Sequence, residues 1–168
     1  MAPRIILIGP MGCGKSTIGK SLAHKLALEF RDTDSVIEQP EHKSVSQIFI
    51  EDGEEAFRAI EKEVLRQELE ASDTVLALGG GAPISTEAQS ALKSTTSHVI
   101  YLDISLANVA PRIGFNRDRP LLLNNPRAQW QTLMEARRPI YEDIADTVVD
   151  VNKRSQSDIV AQILEVLA

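Results

Sequence analysis

The chain has one cysteine in 168 residues, so it forms no internal disulfide, in keeping with a reducing compartment. No apolar run approaches the ~20 residues needed to span a bilayer. The short apolar stretch after Arg4 runs straight into a glycine-rich loop rather than a secretory cleavage site. A cytoplasmic protein without a membrane segment is therefore expected. Positive charge is scarce too. The formal net charge is −6, which argues against nucleic acid as a main partner, because gripping a phosphate backbone takes a positive face. No internal repeat, low-complexity tract or linker interrupts the chain, and its length suits a single domain of ~100 to 200 residues covering 1–168. An apolar content of 43% with 25% charged residues is that of a globular protein.

Lysine is missing from Ala110 to Ile140, where six arginines stand against Asp118 and Glu135, a local balance of +4 in a chain whose remainder carries −10. Arginine alone suits planar, bidentate recognition of carboxylate or phosphate better than general solubility requires. Arg127 and Arg138 read as the solvated face of a helix.

What the chain does contain is Gly9-Pro10-Met11-Gly12-Cys13-Gly14-Lys15-Ser16, a full G-x-x-x-x-G-K-S phosphate loop. A short apolar strand, Arg4 to Ile8, precedes it, and a helix over Lys15 to Leu28 follows, with apolar Ile18, Leu22, Leu26 and Ala27. Its glycines let successive N–H groups converge on phosphate oxygens beside the positive end of the helix. Lys15 would reach the β- and γ-phosphates and Ser16 would ligate Mg²⁺. A mere tight turn would need neither the Lys-Ser pair nor three glycines.

Further strands are expected at Phe30–Asp32, Thr74–Leu78, His98–Leu102 and Thr147–Val151. Helical periods fill Ser46–Ile50, Glu54–Glu70, Thr86–Lys93, Leu106–Ile113, Pro126–Ile144 and Asp158–Leu167, with Ser85, Ser105, Asn125 and Ser157 as N-caps. Such alternation predicts an α/β fold with a parallel sheet covered on both faces and ligands beyond the carboxyl ends of its strands. Gly114 to Asn125 lacks a period and reads as a mobile lid loop.

Two further clusters carry chemistry. Asp32-Thr33-Asp34 puts two carboxylates at the end of the second strand, one for Mg²⁺ through water and one to orient a substrate hydroxyl; alternatively, Asp34 caps a helix starting near Ser35. An EF-hand is excluded, because its sixth and twelfth positions hold Ile37 and Lys43. Gly79-Gly80-Gly81 offers unobstructed backbone N–H groups to an anion, or else a flexible connection. Arg58 stands i,i+3 from Glu61, which by itself reads as an ordinary surface ion pair. Cys13, near a helix N-terminus and Lys15, is either a reactive thiol that ATP would protect from alkylation or a small inert filler.

The phosphate loop, Asp32-Thr33-Asp34, Asp52-Gly53-Glu54 with Phe57-Arg58, the triple glycine, Arg119-Pro120-Leu121-Leu122, and Arg137 before Pro139-Ile140-Tyr141 resemble the shikimate kinase family in order and spacing over nearly the whole chain. The resemblance implies a three-layer P-loop kinase fold like that of nucleoside-monophosphate kinases, with a five-stranded parallel sheet flanked by helices. It also implies a lid over about 112–125, substrate-binding helices over about 34–62, and transfer of the ATP γ-phosphate to the 3-hydroxyl of shikimate. Lys15, Asp34 and Arg119 would then be catalytic. Ser16 and Asp32 would serve Mg²⁺, with Gly12, Cys13, Gly14, Thr17, Arg112, Arg154 and Gln156 around the nucleotide. Shikimate would meet Asp34, Arg58, Gly79, Gly80, Gly81 and Arg137, with Phe49 and Phe57 as walls, and the enzyme would act as a monomer.

Three features depart from the family pattern. Arg117 gives the lid a second cation beside Arg119, Ser155-Gln156 stands where proline is frequent, and the third strand ends without an acidic residue. Two rivals stay open. A gluconate kinase or nucleoside-monophosphate kinase of the same fold would satisfy Arg58 and Arg137 with another acceptor. A non-catalytic nucleotide switch would use Asn152-Lys153-Arg154-Ser155, although Ser155 replaces the aspartate that such a guanine-reading sequence needs.

Overall fold

The computed structural model describes residues 2–113 and 125–168. In chain order the elements are β1 (Ile5–Ile8), α1 (Lys15–Leu26), β2 (Glu29–Asp32), α2 (Thr33–Glu41), α3 (Val45–Asp52), α4 (Glu54–Glu68), β3 (Thr74–Ala77), α5 (Thr86–Ser94), β4 (His98–Asp103), α6 (Leu106–Ile113), α7 (Pro126–Ile144), β5 (Thr147–Asp150) and α8 (Gln156–Leu167). The strands form one parallel sheet in the order β2-β3-β1-β4-β5. Parallel neighbours need a crossover between them, which explains why a helix follows each of the first four strands.

β1 is central. All four of its residues, Ile-Ile-Leu-Ile, are fully buried, because helices cover both faces and leave no polar face for the strand to present. α1 packs on β1, β2, β3 and α8, while α7 packs on β4, α5 and α6. At Gly19 on α1 the approach to the sheet is so close that a Cβ would collide with the Phe30 ring and come within 3.3 Å of Leu7.

The helices between β2 and β3 have a small core of their own. Ile37 of α2, Ile48 of α3, and Phe57 and Val64 of α4 form a cluster distinct from the main core, with Phe49 and Ile60 packed against it. A capping box starts α3: Ser44 Oγ accepts from Gln47 N–H at 3.1 Å, and the Gln47 side chain accepts from Ser44 N–H at 2.9 Å. Gly53 (φ 92°) then separates α3 from α4, between the two expected helical segments.

Several boundaries differ from expectation for local reasons. α2 begins at Thr33 rather than near Ser35, and its N-cap is Asp32, whose extended backbone lets Oδ1 accept from Asp34 N–H at 2.9 Å. Asp34 is therefore inside the first turn and is not the cap. α8 begins at Gln156 because Ser155, not Ser157, caps it through Asp158 N–H at 3.1 Å. Ser85 and Asn125 cap α5 and α7 as expected, with Pro126 at the start of α7. Arg112 and Ile113 belong to α6 and Asn125 caps α7, so both ends of the 112–125 span are helix ends. The rest of that span, with Arg117 and Arg119, lies outside the described residues. No helix among the described residues is long and apolar enough to cross a membrane.

Candidate active site

The loop after β1 turns into α1 through Gly14, which caps the helix at φ 102°, a left-handed conformation that a side chain would strain. Lys15 Nζ donates to the carbonyls of Gly9 at 2.7 Å and Pro10 at 3.0 Å, so the ammonium lies along the loop. Thr17 is exposed on the first turn of α1. Cys13 is fully buried in the main core, with Sγ 3.8 Å from Lys15 Nζ. A reagent in solvent has no path to this thiol in the folded loop, which favours the filler reading over the reactive one.

β2 ends beside this loop. Ser16 Oγ donates to Asp32 Oδ2 at 2.9 Å, placing a hydroxyl and a carboxylate together on the phosphate side, an all-oxygen pair of the kind that suits Mg²⁺. Asp34, one step into α2, faces the other way along the glycine loop: a Cβ on Gly79 would lie 2.7 Å from Asp34 Oδ1. Burial, then the charge of Asp32, pushes the Asp34 carboxyl up to about 6, with Lys15 pulling the other way.

The turn of Gly79–Ala82, closed by a 3.0 Å bond from Ala82 N–H to Gly79 C=O, is where the elements meet. A Cβ on Gly80 would lie 3.5 Å from the Arg137 guanidinium and 3.7 Å from both Gly9 O and Met11 N, so the glycine loop touches the phosphate loop. A Cβ on Gly81 would collide with the Arg58 guanidinium. Only glycine permits this approach. Neither Gly80 N–H nor Gly81 N–H has a main-chain acceptor among the described residues.

Arg58, half-buried on α4, donates to Glu61 at 2.7 Å and stacks over the Phe57 ring at 5.2 Å. Glu61 is only 4% exposed, so the expected surface pair is instead a buried carboxylate holding a cation in place. Burial pushes the Glu61 carboxyl up and Arg58 pulls it down. Arg137, on α7, is buried as well. Arg58, Glu61, Gly81 and Arg137 line a cleft of about 700 Å³ that runs outward between α4 and α5. Phe49 and Phe57 lie 6.0 Å apart in the small core, with the Arg58 guanidinium over the Phe57 ring.

The cations expected near a nucleotide are spread around the phosphate loop. Arg112 donates to Gly12 C=O at 3.1 Å, while Arg154, just after β5, bonds Asp150 C=O at 3.0 Å and the Gln162 side chain. Gln156 is exposed at the start of α8. Trp130 of α7, 2% exposed, donates to Met11 C=O at 3.4 Å and joins the helix that carries Arg137 to the phosphate loop. Arg138 is partly exposed and does more than face solvent: it donates to Asp103 at 2.6 Å and ties α7 to the end of β4. Sequence reasoning missed the burial of Glu61 and the roles of Thr33 and Tyr141. Thr33 Oγ1 accepts from Gly79 N–H at 2.9 Å, and Tyr141 OH donates to Gly80 C=O at 2.6 Å. The Pro139-Ile140-Tyr141 motif one turn beyond Arg137 was the available signal.

Comparison with known proteins gives a consistent result. A family model described as shikimate kinase matches residues 11–168. A shikimate kinase of Streptomyces coelicolor is 43% identical over 164 residues, covering 98% of this chain and 95% of that protein. One from Mycobacterium ulcerans is 45% identical over 165 residues, covering 98% and 89%. A solved shikimate kinase from Acinetobacter baumannii in complex with shikimate superposes with a TM-score of 0.94 at 33% identity, covering 99% of this chain and 93% of that one.

Proposed function

The chain belongs to the shikimate kinase family and catalyses ATP-dependent phosphorylation of shikimate in aromatic amino-acid biosynthesis, and we propose that the acceptor is the 3-hydroxyl and that the residues described above divide the work. The observation that carries this reading is the contact at Gly80, where the phosphate loop, the glycine loop and Arg137 meet within 3.7 Å of one point. Donor phosphate and acceptor anion would thereby be brought side by side, and positioning is the main task in phosphoryl transfer.

On the acceptor side, Arg58, Arg137 and the N–H groups of Gly80 and Gly81 would bind the shikimate carboxylate and neighbouring hydroxyls. Asp34 would accept the proton of the attacking hydroxyl as its oxygen bonds to the γ-phosphorus and ADP leaves; a carboxylate raised to about 6 is a better base than an exposed one and is still ionised at pH 7. On the donor side, Lys15 would rotate from the Gly9 and Pro10 carbonyls onto the β- and γ-phosphate oxygens, whose negative charge makes them stronger acceptors than a neutral carbonyl. Ser16 and Asp32 would hold Mg²⁺, which when bound neutralises charge across the β- and γ-phosphates. Arg112, Arg154 and Gln156 would frame the nucleotide, and Arg119 would supply a further cation from the lid.

The test is ADP release from Mg·ATP with and without shikimate, with gluconate as the control acceptor. Release that depends on shikimate is expected. Release only with gluconate, or slow hydrolysis indifferent to either, would overturn the substrate assignment while leaving the phosphate loop in place.

A further inference from the structure

The glycine loop presents N–H groups to the acceptor but has no side chains with which to hold them. The peptide between Gly80 and Gly81 is flanked by two residues without Cβ atoms, so sterics alone leave it free to flip. In a trans peptide the C=O and the following N–H point in opposite directions within one plane. Whatever grips Gly80 C=O therefore aims Gly81 N–H.

That grip comes from Tyr141, whose hydroxyl donates to Gly80 C=O at 2.6 Å. Its ring is fully buried and packed against Tyr101, tilted by 39° with 5.1 Å between centroids, which holds the hydroxyl in place. Arg137, one turn earlier on α7, brings its guanidinium to the same glycine, 3.5 Å from where a Cβ on Gly80 would stand. The preceding part of the loop is pinned from the opposite side, where fully buried Thr33, between the two acids, accepts from Gly79 N–H at 2.9 Å.

We propose that Tyr141 is a positioning residue for the acceptor: its hydroxyl locks the Gly80–Gly81 peptide plane, so that Gly81 N–H is presented to the shikimate anion beside the Arg137 guanidinium. Thr33 completes the clamp. Donation into Gly80 C=O also polarises the same peptide and strengthens its N–H as a donor. This rests on the reading that the glycine loop receives shikimate.

Tyr141→Phe keeps the ring and its packing and removes only the hydroxyl. The expected result is a rise of about 10-fold in the Kd and KM for shikimate, the size of one well-placed hydrogen bond, with the KM for ATP within about twofold of the parent. Tyr101→Phe is the control. It removes the neighbouring buried hydroxyl, which donates to Asp103 at 2.9 Å, and should leave the shikimate KM unchanged even if it lowers thermal stability. A shikimate KM unchanged in Tyr141→Phe, a parallel rise for both substrates, or an equal effect from Tyr101→Phe would overturn the proposal. Should Tyr141→Phe not fold, Thr33→Val against Thr33→Ser decides in its place: the valine should raise the shikimate KM and the serine should restore it, and no difference between them would overturn the clamp. Parent protein that releases no ADP in response to shikimate would instead overturn the reading beneath it.

Discussion

Adding one methyl group at Gly79 tests whether the placement of Asp34 matters to turnover. In Gly79→Ala the new Cβ would lie 2.7 Å from Asp34 Oδ1, 3.4 Å from its Cγ and 3.5 Å from Oδ2. Ordinary contact begins near 3.4 Å, so the carboxylate must retreat by about 0.7 Å. The backbone cannot absorb this easily. Asp34 N–H is bonded to Asp32 Oδ1 at 2.9 Å, and Gly79 N–H to Thr33 Oγ1 at 2.9 Å, so loop and helix start are tied together on both sides of the clash. A catalytic group misplaced by ~1 Å costs about 10²-fold in rate, which puts the expected fall in kcat at roughly 30- to 100-fold, or ~2–3 kcal/mol of barrier. The phosphate loop is untouched, so the Kd for ATP from equilibrium titration should stay within about twofold. A correctly folded Gly79→Ala protein with kcat within about threefold of the parent would refute the reasoning, because Asp34 would then have room to move without consequence.

Other variants probe separate links. Asp34→Asn should lower kcat by ~10² or more with nucleotide affinity kept, and in the parent kcat/KM for shikimate should fall as the pH drops below about 6, where Asp34 takes up its proton. The stability effect has the opposite sense: a folded pKa near 6 against ~3.9 for a free Asp favours the fold below pH 4, and that contribution is lost as pH rises through about 6, so Asp34→Asn should be more stable than the parent at pH 8 by ~1–3 kcal/mol in denaturant titration. Arg58→Ala strands the buried Glu61 carboxylate, so it should raise the shikimate KM and also lower unfolding stability by ~1–3 kcal/mol; a KM effect with full stability would show that Glu61 does not depend on its partner. Gly19→Ala, which drives a methyl into Phe30 and Leu7, should cost ~1–3 kcal/mol of stability through overpacking and leave KM values unchanged.

The parts of the site that were legible in the sequence are those whose chemistry is contiguous. β1, the phosphate loop and α1 run consecutively, so spacing alone located Lys15 and Ser16. The five strands and their parallel pairing followed from apolar runs alternating with helical periods. Choices between near neighbours were harder. Asp32 rather than Asp34, and Ser155 rather than Ser157, became caps because a cap must keep an extended backbone while its side chain reaches forward, and two polar residues a step apart look alike in sequence. Least legible were contacts across large separations. Arg138 meets Asp103 over 35 residues and Tyr141 meets Gly80 over 61, and Glu61 shares its cleft with Gly81 and Arg137, which come from distant parts of the chain. An i,i+3 charge pair carries no local mark of whether another element will cover it.

The single tryptophan of the chain gives the fold a built-in optical probe. Because Trp130 is sealed from solvent and its indole N–H leans on the Met11 carbonyl at 3.4 Å, any rearrangement of the phosphate loop changes the polarity seen by the one indole, and its emission then reports nucleotide arrival without a label. The same helix carries Arg137 two turns on, so a second spectral change on adding acceptor would measure, in the same cuvette, whether one site senses that the other is filled.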